Sequence, residues 1–159
     1  MSLQPFFEWM QGLRFSAFFL ESVWPTPIIQ CIHLSSVAVF AGAVLLVDLR
    51  LLGKGLKGTP LPQLARAAEP FLIGSFVVLV LTGIPQMAST ALKQYYSPFF
   101  WWKMEMVLIA VILTVTVRRK LASTDESQLG PVFPKVVALC SIALWTSVTI
   151  GARLIGLLS

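Results

Sequence analysis

Residues 27–52 read PIIQCIHLSSVAVFAGAVLLVDLRLL, and this stretch decides the fold. No Asp, Glu, Lys or Arg interrupts it before Asp48. As a helix it can cross a hydrocarbon layer about 30 Å thick, which takes about 20 apolar residues. Three more stretches have the same character, at roughly residues 70–92, 98–117 and 133–157. Each begins near a proline, a residue tolerated in the first helical turn, where the missing N–H has no intrahelical partner. Ser97-Pro98 reads as an N-cap followed by the first helical residue.

The composition agrees. Of 159 residues, 57% are hydrophobic and 12% charged, whereas a soluble domain carries about 25% charged residues. With a mean hydropathy of +0.83, a soluble enzyme, a disordered chain and a free nucleic-acid binder are all excluded. The expectation is one all-α domain, a four-helix bundle whose partner is the lipid bilayer.

The net charge of +5 follows from topology. Arg50, Lys54, Lys57, Arg66, Arg118, Arg119, Lys120 and Lys135 flank the connections after the first and third spans. By the positive-inside rule those connections face the cytoplasm, which leaves both termini on the periplasmic side of a bacterial inner membrane. Tyr95, Tyr96, Trp101 and Trp102 then form an aromatic belt at the outer interface. Before the first span, Leu3, Phe6, Phe7, Met10, Leu13 and Ala17 recur at helical spacing, with Glu8, Gln11 and Gly12 opposite. This predicts an amphipathic helix over about residues 3–22, lying in the interface or across the outer mouth of the bundle.

Helical periodicity assigns faces. At about 100° per residue, His33 shares a side of its helix with Gln30, Val37, Phe40, Val44 and Asp48. His33 and Asp48 stand about 22 Å apart along the axis. The opposite side carries Cys31, Ser35, Ala38 and Gly42, a small-residue seam that admits close helix approach and is expected to build a homo-oligomer. The second span aligns Ser75, Thr82, Gln86 and Ser89; the third aligns Trp101, Trp102, Glu105, Ile109 and Thr116; the fourth aligns Ile142, Thr146, Thr149 and Arg153. If polar groups gather inward, His33, Gln86, Lys103, Glu105 and Arg153 meet in the outer half. Asp48, Arg50, Arg66, Glu69 and Arg118 then form an ion-pair rim at the inner helix ends.

His33, the single histidine, is the sharpest candidate. It can be a neutral imidazole bonded to Gln86 or a carbonyl, a haem axial ligand, a proton relay or a substrate contact. Glu105 and Arg153 can pair with each other or touch a ligand, and Lys103 can snorkel to the interface. No phosphate loop, nucleophile elbow or His-Glu-x-x-His motif is present, so no catalytic residue is assigned. Cys31 and His33, two residues apart on a helix, cannot chelate one metal together. The two cysteines are too few for a disulfide framework.

Three stretches carry a family likeness. They are His33 with Gly42 and Asp48-Leu49-Arg50-Leu51-Leu52-Gly53; Pro70, Gly74, Phe76 and Thr82-Gly83; and Ser97-Pro98-Phe99-Phe100 leading to Lys103. In this order the chain resembles an uncharacterised family of small bacterial four-helix membrane proteins. It is more distantly similar to the copper-resistance D membrane domain and to the bacterial membrane protoporphyrinogen oxidase. The latter likeness implies b-type haem, with His33 and Lys103 as the positions that carry over. Lacking a second histidine, one chain cannot supply a bis-histidine site.

The resulting expectation is haem b on His33, with Lys103 and Arg153 near the propionates and Gln86 and Glu105 in the pocket, serving electron transfer or redox sensing. The alternative is a non-enzymatic oligomeric transport, channel or scaffold component with a polar cavity or lipid site.

Overall fold

The computed structural model describes residues 3–55, 58–123, 130 and 132–158. The elements are α1 (Gln4–Gln11), α2 (Arg14–Glu21), α3 (Pro25–Leu51), α4 (Leu61–Ser89), α5 (Ala91–Tyr96), α6 (Pro98–Ser123) and α7 (Phe133–Leu158). No strand occurs among the described residues. Pro25–Leu51, Leu61–Ser89, Pro98–Val117 and Phe133–Gly156 are each long and apolar enough to cross a membrane. The chain is a multi-pass membrane protein.

α3 packs on α4 and α7, α4 also packs on α6, and α6 packs on α7. Successive long helices run antiparallel and close a ring of four. One end of the ring, the terminal end, carries α1, α2, α5 and the last turn of α7. The opposite loop end carries the α3–α4 connection and the last turn of α6.

The second span starts earlier than its apolar stretch predicts. Pro70 does not open α4 but lies inside it, as does Pro85, and the helix begins at Leu61 with Pro62 in its first turn. A proline inside a helix removes one ladder bond, a loss that neighbouring helices in a membrane protein can absorb. Residues 61–69, expected as loop, therefore extend the helix at the loop end.

The α3–α4 connection is well specified by its residues. Gly53 sits at φ +71°, and the Lys54 and Gly53 N–H groups donate to the Leu49 and Arg50 carbonyls, both at 3.0 Å. This double bond pattern ends α3 and needs the left-handed backbone that glycine adopts without strain. Arg50 Nε then donates to the Thr59 carbonyl at 3.0 Å, tying the far side of the connection to the helix.

The N-terminal segment is two short helices, not one. Leu13 is extended, at φ −67° and ψ 139°, which breaks the rod after Gly12. Its apolar side closes the terminal end: Phe7 and Met10 are buried with Ala88, Ala91 and Phe100. Gln11, read from the sequence as outward-facing, accepts the Leu92 N–H at 2.9 Å and so caps the start of α5. Leu3, Phe6, Trp9 and Phe18 remain exposed, an apolar outer surface suited to the membrane interface.

Ser16 fastens this cover. Fully buried, it donates to the Ala88 carbonyl at 2.6 Å, in the last turn of α4, where carbonyls lack ladder partners. Ser16→Ala is expected to cost about 1–2 kcal/mol, since it leaves a buried acceptor unpaired. Detergent-solubilised protein should then unfold earlier on heating and lose the N-terminal helices first to limited proteolysis.

Candidate functional site

The inward side of α3 is the one its periodicity predicts. Phe40, Val44, Val47, Asp48 and Leu51 are buried, and His33 is half-buried one level nearer the terminal end. The polar stripe of α4 also turns inward, with Ser75 and Thr82 buried. His33 meets this stripe at Thr82, Nδ1 to Oγ1 at 2.8 Å; the sequence pointed to Gln86 or a carbonyl instead. Gln86 folds back on its own helix, donating through Nε2 to the Thr82 carbonyl at 3.0 Å.

The bonds of Thr82 accommodate a definite histidine tautomer. The Thr82 hydroxyl has one proton, and it is donated to the Val78 carbonyl at 2.6 Å. The same oxygen can then only accept from His33. With the hydroxyl proton on the Val78 carbonyl, Nδ1 carries the ring proton and Nε2 keeps the in-plane lone pair, whereas a hydroxyl turned to Nδ1 gives the other tautomer. Beside the ring, Gly83 presents no side chain, and a Cβ there would stand 3.7 Å from His33 Cε1.

Lys103, on α6, is half-buried. Nζ stands 5.6 Å from the centroid of the Phe100 ring, a cation–π contact. Two cationic or potentially cationic groups thus share the terminal half of the interior.

Glu105 and Arg153 do not join them. Both are exposed, and neither bonds or pairs with a described residue. The inward side of α6 is marked by fully buried Ala110, with Glu105 about 140° away around the helix. On α7 the inward side carries Ala138, Ser141 and Gly151, while Thr146, Thr149 and Arg153 face out. The expected gathering of polar groups therefore holds for α3 and α4 and reverses on α6 and α7. Small residues at the helix crossings, not polar ones, set these faces.

Below His33 lies an aromatic layer that sequence reading missed. Phe40 packs edge-on against Trp145 with centroids 4.6 Å apart and lies 6.1 Å from Phe76. Trp145 Nε1 donates to Thr114 Oγ1 at 3.3 Å, whose own proton goes to the Ala110 carbonyl at 2.7 Å. Beyond this layer a chamber of about 20 Å³ is lined by Asp48, Thr114, Ser141 and aliphatic side chains, with room for about one water. Of the expected rim, Asp48 is buried, Arg50 holds the connection, and Arg66 and Glu69 are exposed. The side chain of Arg118 lies outside the described residues.

This arrangement, across the whole bundle, can be set against known proteins. The chain belongs to DUF6644, a family of unknown function matched over residues 6–158. The match spans all four crossing helices as well as α2, α5 and most of α1. No curated protein and no solved structure matches this DUF6644 chain. Among the described residues no group of three or more His, Cys, Asp and Glu side chains is placed to hold a metal ion.

Proposed function

We propose that this membrane bundle binds b-type haem through His33 and serves electron transfer or redox sensing in a bacterial inner membrane, with both termini periplasmic. The observation that carries the reading is the contact between His33 Nδ1 and Thr82 Oγ1 at 2.8 Å. Thr82 orients the ring by accepting from Nδ1–H, which leaves the Nε2 lone pair of a neutral imidazole to ligate haem iron. His33 would supply one axial ligand. Lys103 would offer a positive charge to a propionate, and Gly83 leaves the ring edge uncrowded. Bound haem would supply one-electron chemistry. The protein's own part is to hold the imidazole upright, to exclude water through the aromatic layer and to neutralise a carboxylate.

The transport reading has less support, because Phe40, Phe76 and Trp145 lie between the His33 level and the Asp48 chamber. A scaffold role is favoured by one feature, the exposure of Cys31, Ser35, Ala38 and Gly42. Cys31 and Ser35 line an open groove with Pro70, Phe71 and Gly74.

An absorption spectrum tests the proposal. Protein purified in mild detergent with haem supplied during expression should show a Soret band. His33→Ala should abolish it, and Thr82→Val should keep a band with several-fold weaker haem retention, as expected when a histidine ligand loses its orienting partner. A haem-supplemented preparation without a Soret band rejects the proposal.

A further inference from the structure

The two charges that the bundle turns outward are the least explained groups in its crossing helices. Glu105 lies seven residues into α6, about 10 Å below Pro98 and one turn below Trp102. Arg153 lies on the outward side of α7, in line with Thr146 and Thr149. Neither has a partner among the described residues of its own chain. A lone ionised side chain facing acyl chains is strongly disfavoured, and such residues ordinarily pair with one another.

Their depths are compatible. Gly151 of α7 packs against Trp102 and Lys103 of α6, which sets the antiparallel register of the two helices. From that level Glu105 lies two to three residues toward the loop end and Arg153 two residues toward the terminal end, a difference of about 7 Å along the bundle. A twofold axis along the membrane normal preserves depth, so it sets Glu105 of one copy near the level of Arg153 of the other, twice over. An arginine side chain can bend down this distance to a carboxylate.

We infer that the α6–α7 face is a dimer interface between two copies of this chain, closed by Glu105–Arg153 pairs in trans. This goes beyond haem binding and does not depend on it. It also places the contact on the hairpin across the ring from the small-residue seam of α3.

The test is a charge swap read as dimer affinity in lipid vesicles, by single-molecule photobleaching of labelled full-length chain over a dilution series. Wild type should dimerise. Glu105→Arg and Arg153→Glu should each weaken the dimer about 10-fold or more, and the double reversal should return it close to wild type. Glu105→Gln, which removes the attraction without adding repulsion, should give a smaller loss and guards against misfolding of the reversed variants. A monomeric wild type overturns the inference. So does unchanged affinity in both single reversals, or a double variant that stays as weak as the singles. Dissociation by Gly42→Leu, with the charge reversals silent, overturns it in favour of the seam.

Discussion

Phe40→Ala is expected to destabilise the bundle by about 3 kcal/mol, at the lower end of the range for deleting a buried aromatic side chain. The ring is buried in the core cluster and touches both Phe76 and Trp145, so three helices lose contacts at once. In water, part of the cost would be the transfer of aryl carbon out of solvent. Here separated helices would expose Phe40 to acyl chains that are as apolar as the core, so the loss is mainly packing. Phe40→Leu fills most of the hole and should cost about 1 kcal/mol. Unfolding of the protein in mixed micelles, titrated with a denaturing detergent, measures both. Equal midpoints for Phe40→Ala and wild type would contradict the layer's structural role.

Gly151→Leu should cost about 2–3 kcal/mol by overpacking. Gly151 lies where α7 passes closest to α6: even a Cβ there would come within 3.0 Å of Trp102 Cζ3 and 3.4 Å of Lys103 Cβ. Alanine therefore requires the Trp102 ring edge to shift by a few tenths of an ångström, and leucine drives the helices apart. Gly42 is the contrasting position, since a Cβ built there meets nothing within 4 Å. Gly42→Ala should leave the midpoint unchanged or raise it slightly through better helix propensity. The same micelle titration separates the two, and a harmless Gly151→Leu would contradict the observed closeness of α6 and α7.

The contrast between these glycines also explains what the sequence could reveal. The four crossings were legible because each is an apolar run at least as long as a bilayer requires. The start of α4 was not, since Pro70 imitates a helix start inside a longer helix whose own first turn holds Pro62. On α3 and α4 the inward faces followed from polar residues, because His33 and Thr82 satisfy each other inside the bundle. On α6 and α7 the same rule points the wrong way. Lipid accepts apolar side chains on every side of a helix, so hydropathy does not distinguish core from surface. The usable signals were Ala110, Ala138 and Gly151, whose small size permits close crossing.

The site was legible in part for a related reason. His33 stands out as the single imidazole in an apolar run, yet its partner could not be read from spacing within one helix. Thr82 lies forty-nine residues away, and only the pairing of α3 with α4 brings it near. Trp145 attracted no attention for the same reason: its indole reaches Thr114 on another helix.

The ring layer at Phe40, Phe76 and Trp145 has one more consequence. An ion carried in its hydration shell would meet aryl carbon midway along the bundle and would have to shed that shell with little oxygen to replace it, the Thr114 hydroxyl being already bonded to Trp145 and Ala110. Electrons need no such replacement. While those rings keep their places, they set an apolar layer between the two polar levels, a barrier that bears on hydrated solutes and not on charge carried by tunnelling.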